Sequence, residues 1–262
     1  MQVIPLGTNG FFPSFGRQTM CFAVPLGKTL IILDAGSGLF RLAEPIGKKL
    51  LVGVDTIHLY LSHYHLDHTF GFYAAWKFFA GKKVTVFGKS AKHVFDELYS
   101  HGYIPGLFEK QFSNFTWEEV GEKEIARDGY QVKARKQIHN GAGSLAFRFQ
   151  FQDASLAYVT DSEPTRESVE FVRGVDLLLH EHYLGGEEVL NRKNISLEDH
   201  FLGGHVTTVG AATIAKEAKA GKLVLIHHYP FADERQLTEQ LREARLIFPT
   251  THLAKDLQKI SF

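Results

Sequence analysis

Residues 63–68 read His-Tyr-His-Leu-Asp-His, directly after the apolar run Ile57-His58-Leu59-Tyr60-Leu61-Ser62. Packing does not require such a density of metal-ligand side chains, and three imidazoles with a carboxylate suit zinc or a similar divalent ion. The preceding run reads as a buried strand. The ligands therefore sit on the loop at its C-terminal end, the edge at which open α/β sheets build their sites. In an extended segment residues i and i+2 point the same way, so His63 and His65 can grip one ion. Asp67 and His68 then turn into a following helix and can reach a second.

A centre of this kind needs ligands from elsewhere in the chain, which holds 14 histidines. His139 follows the strand-like stretch 131–138 and precedes Asn140-Gly141-Ala142-Gly143, a loop signal. Asp161 follows the strand Ser155–Thr160, and His227 follows the strand Lys222–Ile226. Three separate strands thus each deliver a His or Asp at the C-terminal end.

With these residues in this order, the chain resembles the metallo-β-lactamase superfamily. Further stretches are similar to its ribonuclease Z-like and phosphodiesterase-like branch: Leu6-Gly7-Thr8-Asn9-Gly10 with Pro13 and Arg17, Leu33-Asp34-Ala35-Gly36-Ser37-Gly38, Asp176 to Glu181, and Gly204-His205-Val206-Thr207-Thr208. The resemblance spans about residues 3–230. It implies an αββα four-layer sandwich, two packed mixed β-sheets flanked by helices. It implies two divalent ions, zinc or manganese: His63, His65 and His139 on the first, Asp67, His68 and His227 on the second, and Asp161 bridging. The nucleophile is then a hydroxide held between the ions, with Asp67 as general base. His205 is implied to contact the phosphate and protonate the leaving oxygen, beside a helix start where Thr207 or Thr208 can cap. His227 is preferred to His228 as the last ligand, because the family places its ligand first after the strand. Glu181 falls where the branch has Glu. His182 departs from the branch pattern and is expected to line the substrate pocket or to stand behind the ligands; Glu181 and Thr207 are expected at the substrate pocket.

Composition fits this reading. The chain has 262 residues, 44% hydrophobic, with 22 Phe for a large core, and no linker or low-complexity run divides it. One domain over 1–262 is expected, without a secretory leader or a membrane span, in the cytoplasm. Cys21, the single cysteine, is expected as a small core residue rather than a nucleophile. The balance of 29 basic and 29 acidic residues provides no field for polyanions. Only 21 residues separate His139 from Asp161, room for a hairpin and not for the tRNA-gripping arm of true ribonuclease Z. A structured RNA partner is therefore disfavoured and a small phosphodiester, such as a cyclic nucleotide or cyclic sugar phosphate, is favoured. A homodimer is left open. The alternatives are a lactone or thioester hydrolase, a ribonuclease Z-like nuclease, an iron oxidoreductase, and a scaffold that has lost catalysis. His65 stands against the di-iron branch, which usually has Glu there, and the complete ligand set stands against the scaffold.

Periodicity places early strands at about 2–6, 20–25 and 29–34, a strand at 57–61, and a helix through Asp67 to about Phe79. In that helix Phe70, Ala74 and Phe78 are expected to face the core. A strand is expected at 83–87 and a helix near 90–101. Later strands near 131–138, 144–151, 155–160, 175–180 and 222–227 alternate with helices near 165–173, 207–220 and 234–246. Residues 102–118, rich in aromatics, show no clear period and read equally as a lid or as a folded core loop.

Overall fold

The structure is a computed structural model that describes residues 1–262 except 103–105, 142, 186–188, 190, 191 and 193. One sheet has the order β16 (Ile260–Ser261), β1 (Gln2–Gly7), β2 (Cys21–Leu26), β3 (Thr29–Leu33), β4 (Thr56–Tyr60), β5 (Lys83–Phe87), β6 (Phe115–Glu118). The other has the order β15 (Thr251–Leu253), β14 (Lys222–Ile226), β11 (Leu177–Glu181), β10 (Ser155–Val159), β9 (Ser144–Phe151), β8 (Tyr130–Gln137), β7 (Ile125–Arg127). In each sheet the pairings at one end are antiparallel and those at the other end parallel. A small hairpin, β12 (Phe201–Leu202) with β13 (His205–Val206), stands apart.

Period-two alternation in the strands sorts side chains into layers. Along β3, Ile31 and Leu33 join Phe22, Tyr60, Phe147, Phe149 and Tyr158 between the two sheets. Leu30 and Ile32 face the opposite way, into a layer formed with helices α1 (Pro45–Leu51), α3 (Ala75–Phe78), α4 (Ala91–Ser100) and α5 (Phe108–Gln111); α2 (Leu66–Thr69) lies at the end of this layer. In the second sheet Ala157, Val159, Leu223 and Leu225 turn outward onto α6 (Arg166–Phe171), α7 (Thr208–Glu217) and α8 (Glu234–Ile247). The layers are therefore helix, sheet, sheet, helix, as expected. Thr207 caps α7 and Asp233 caps α8, each accepting a backbone N–H of the first turn. Cys21 is fully buried, and that burial, with Asp34 and Asp256 nearby, pushes its thiol well above the usual range. Among the described residues no helix is long and apolar enough to cross a membrane.

One expectation is corrected and one left open is decided. The helix expected from Asp67 to Phe79 is broken into α2, a 3₁₀ segment Phe70–Ala74 and α3. The tighter 3₁₀ winding rotates the buried stripe to Phe72, Ala75 and Phe79, while Phe70 stands 53% exposed. Within 102–118 the described residues form α5 and β6, and Phe108, Phe112 and Phe115 are buried in the first helical layer. That segment is core rather than lid; the part of it at 103–105 lies outside the described residues.

Phe72 is the hub of this layer, stacked on Phe95 at 3.9 Å and on Phe112 at 5.1 Å between ring centroids. Phe72→Ala is expected to destabilise the protein by about 3–5 kcal/mol, because neighbouring rings on several sides limit collapse into the cavity. Chemical denaturation of both proteins measures the loss.

Candidate metal centre and active-site cavity

The site lies at the C-terminal ends of strands from both sheets. The loop after β4 carries His63 and His65, and α2 carries Asp67 and His68. His139 follows β8, Asp161 follows β10, His227 follows β14, and Glu181 is the last residue of β11.

Strand alternation explains how these side chains arrive. Along β11, Leu177 and Leu179 face the layer between the sheets, and Glu181 continues that phase into the site. Asp34, Asp161 and His227 are out of phase with the inward residues of their strands, Leu33, Tyr158 and Ile226. Each adopts a left-handed backbone, with φ of 56°, 49° and 59°. A non-glycine residue rarely adopts this conformation; it costs about 1–3 kcal/mol and persists where the surroundings enforce it. Here it reverses the chain at the strand end and swings the polar side chain inward. Two glycines make room: a Cβ on Gly10 would meet the His227 ring at 2.2 Å, and one on Gly36 would meet the Asp67 carbonyl at 2.0 Å.

The structure brings together all seven residues expected as ligands. One ligand atom from each of His63, His65 and His139 lies within 4.8 Å of the others, and the same holds for Asp67, His68 and His227. Asp161 lies between the two groups: its carboxylate is 3.4 Å from His139 Nε2, 3.1 Å from His68 Nε2 and 3.4 Å from His227 Nε2. Asp67 Oδ2 is 3.3 Å from both His68 Nε2 and His227 Nε2.

Hydrogen bonds behind the cluster leave its nitrogens ready for cations. His68 Nδ1 donates to Asp34 Oδ2 at 2.7 Å, and His139 Nδ1 donates to the Gly204 carbonyl at 2.8 Å. Ser62 Oγ donates to Asp34 Oδ2 at 2.8 Å, so it accepts from His63 Nδ1 at 3.0 Å. Each of these rings is thereby oriented with Nε2 toward the cluster. His63 Nε2 is buried with no hydrogen-bond partner, and His68 Nε2 faces only the Asp67 and Asp161 carboxylates. Buried polar atoms are rarely left so, and a pair of divalent cations fits this donor set of imidazoles and carboxylates. Without a cation the groups pair with one another. Burial opposes charge on His68, but Asp67, Asp161 and Asp34 hold its imidazolium well above the usual range. Burial also opposes charge on Asp161 and Asp67, yet the facing histidines hold both carboxylates below their usual range.

A cavity of 630 Å³ opens over the cluster. His65, Asp67, His139, Asp161, His205 and His227 line it, together with Phe11 and Tyr183. His205 Nδ1 donates to Glu181 Oε2 at 2.8 Å and lies 3.5 Å from Asp161 Oδ1. Burial works against its charge, but Glu181, Asp161 and Asp67 raise its pKa to about 9. Glu181 is fully buried and accepts from the Ser162 backbone at 2.6 Å, so it positions His205 rather than lining the pocket.

The other two expected pocket residues are also corrected. Thr207 is a buried helix cap that pairs with His200 Nδ1 at 2.8 Å. His182 has the outward phase of Leu178 and His180, and is fully buried against Thr208 and His228, 2.9 Å and 2.7 Å away. Of the two adjacent histidines, His227 reaches the cluster; His228 Nε2 donates to the Ala254 carbonyl at 2.9 Å. Asp34, Phe11 and Tyr183 are site residues that sequence reasoning missed. The glycine turn after β3 is the one signal that marked Asp34.

Glu181→Gln is expected to lower the His205 pKa of the metal-free protein from about 9 toward the ordinary 6.5, followed by NMR titration of the imidazole. A raised pKa stabilises the folded state below the unfolded pKa, and the gain is lost as pH rises through the folded pKa. The stability advantage of wild type over Glu181→Gln is therefore largest below about pH 6.5 and shrinks toward pH 9.

Fold and site together define a metallo-hydrolase. The chain belongs to the beta-lactamase superfamily, whose domain model matches residues 29–228. Ribonuclease Z from Pyrococcus horikoshii is 25% identical over 317 residues, covering 100% of this chain and 96% of the relative. The metallo-beta-lactamase fold protein YhfI from Bacillus subtilis superposes with a TM-score of 0.74 at 21% identity, covering 99% of this chain and 98% of that one. A diphosphatase from the PhnP family superposes with a TM-score of 0.71 at 16% identity, covering 100% of this chain and 97% of that one.

Proposed function

We propose that the protein is a dinuclear metal-dependent phosphodiesterase acting on a small, linear or cyclic phosphodiester. The observation that carries this reading is His205, held by buried Glu181 at 2.8 Å on the cavity wall, 3.5 Å from Asp161. A phosphodiester transition state spreads negative charge over the equatorial oxygens and the leaving oxygen, and a positioned imidazolium stabilises that charge and supplies a proton. A thioester expels a thiolate, which is less basic than an alkoxide and has less need of an acid at this position.

His63, His65 and His139 would hold one ion, Asp67, His68 and His227 the other, with Asp161 shared between them. Zinc or manganese bound there supplies Lewis acidity for water activation and charge neutralisation. The remaining work falls to the chain. Asp67 is ionised, and its Oδ2 is fixed by the Phe11 backbone N–H at 2.7 Å, so its carboxylate can orient the attacking water and accept its proton. His205 faces the same cavity and donates its proton to the departing oxygen. Glu181 keeps the imidazole charged and directed.

A ribonuclease Z-like activity is the second reading, favoured by the full-length similarity to the Pyrococcus horikoshii enzyme. Two facts weigh against it. The alignment runs over 317 residues against a chain of 262, so that relative carries segments this chain lacks. Between His139 and Asp161 the chain is occupied by the β9–β10 hairpin, and its formal net charge is zero.

His205→Ala tests the proposal. Turnover of bis-p-nitrophenyl phosphate is expected to fall about a hundredfold or more, with metal content retained. Undiminished phosphodiester turnover in that variant would reject the role of His205.

A further inference from the structure

We infer that Phe11 forms one wall of a subsite for a flat ring, a nucleobase, carried by the scissile phosphodiester. The inference rests on the phosphodiesterase reading and narrows its substrate class, from any small phosphodiester to a nucleotide rather than a bare sugar phosphate. Phe11 lines the cavity over the metal centre, yet it is 68% exposed. Leu66, on the same lining, is 70% exposed. The polar floor of ligands is thus bordered by apolar groups that the fold leaves to water. A sugar phosphate, hydroxylated on all sides, gains nothing from them, whereas a base covers them and stacks.

The backbone points to the same conclusion. Phe11 has a φ of 61°, a conformation that an aromatic residue adopts only under constraint. The constraint is its own N–H, bonded to Asp67 Oδ2 at 2.7 Å. One bond therefore fixes the Asp67 carboxylate and sets the ring at the cavity mouth, so the distance from ring to reacting centre is fixed by the backbone. Phe12 packs on Phe11 at 5.4 Å between centroids and on Phe231 edge-on at 5.2 Å. These contacts back the ring with further aromatics and limit its motion. Constrained, exposed aromatic surface beside a catalytic centre has no role in the fold's own packing.

The test compares two cyclic phosphodiesters that differ only in the base: adenosine 2′,3′-cyclic phosphate and the methyl riboside 2′,3′-cyclic phosphate. Hydrolysis by the metal-loaded full chain is followed by phosphorus NMR. Wild type is expected to prefer the base-bearing substrate by about tenfold or more in kcat/KM, mostly through KM. Phe11→Leu, which keeps an apolar group and the backbone N–H, is expected to bring the ratio toward unity, and Phe11→Trp to preserve it. Absence of a preference in wild type, or an unaltered preference in Phe11→Leu, overturns the subsite. If neither diester is cleaved, the phosphodiesterase reading fails separately. Calorimetric binding of adenosine 5′-monophosphate against ribose 5-phosphate then decides the subsite. A tenfold preference that Phe11→Leu abolishes supports it, and equal affinities overturn it.

Discussion

Asp161→Ala is expected to reduce bound metal from about two ions per chain to one or fewer and to lower turnover by roughly a thousandfold or more. Asp161 is the carboxylate between the two groups of ligands, within 3.5 Å of His68, His139, His205 and His227. Removing it takes a negative charge from the point where two cations would approach each other, and leaves their repulsion unscreened. The loss of metal-derived charge stabilisation is worth several kcal/mol of barrier, and each 1.36 kcal/mol is a factor of ten. Elemental analysis and steady-state kinetics on the folded variant measure both effects. Unchanged metal content and activity would remove Asp161 from the centre.

Asp67→Ala is expected to cost at least about a hundredfold in kcat, in line with loss of a general base and a ligand together. The carboxylate accepts from the Phe11 backbone and faces His68 and His227, so the substitution also leaves that N–H without its partner. Asp67→Asn separates the two roles. The amide keeps an oxygen to accept from Phe11, but it cannot take a proton. A kcat loss in Asp67→Asn comparable to that in Asp67→Ala, with the protein folded by circular dichroism, supports proton acceptance. Near wild-type kcat in either variant would reject it.

The candidate ligand cluster was legible in the sequence because its residues fall at the C-terminal ends of strand-like runs. His63 to His68 are contiguous, and His139, Asp161 and His227 each occupy a strand end that hydrophobic patterning locates. Patterning says nothing of which way a side chain points beyond the last paired residue. Strict alternation would send Thr160 and His228 inward; the left-handed turns at Asp161 and His227 reverse the order. The same limit hid Asp34, whose side chain is held by four hydrogen bonds, from Ser62 N and Oγ in the loop after β4, His68 on α2 and Tyr158 on β10, all distant in sequence. His182 was misplaced for the opposite reason: β11 keeps its alternation to the end, so Glu181 enters the site and His182 leaves it. The broken helix after His65 escaped because Phe70, Ala74 and Phe78 fit a helical stripe as well as Phe72, Ala75 and Phe79 do, and local spacing does not choose between them. In Phe11 neither the exposure nor the backbone strain has a local sequence signature.

The central claim is that this ligand cluster and His205 together serve a phosphodiester. The most direct measurement sets bis-p-nitrophenyl phosphate against a panel of lactones and thioesters, with the zinc- or manganese-loaded wild-type protein at one pH. The phosphodiester is expected to have the higher kcat/KM. Faster cleavage of any lactone or thioester would contradict it.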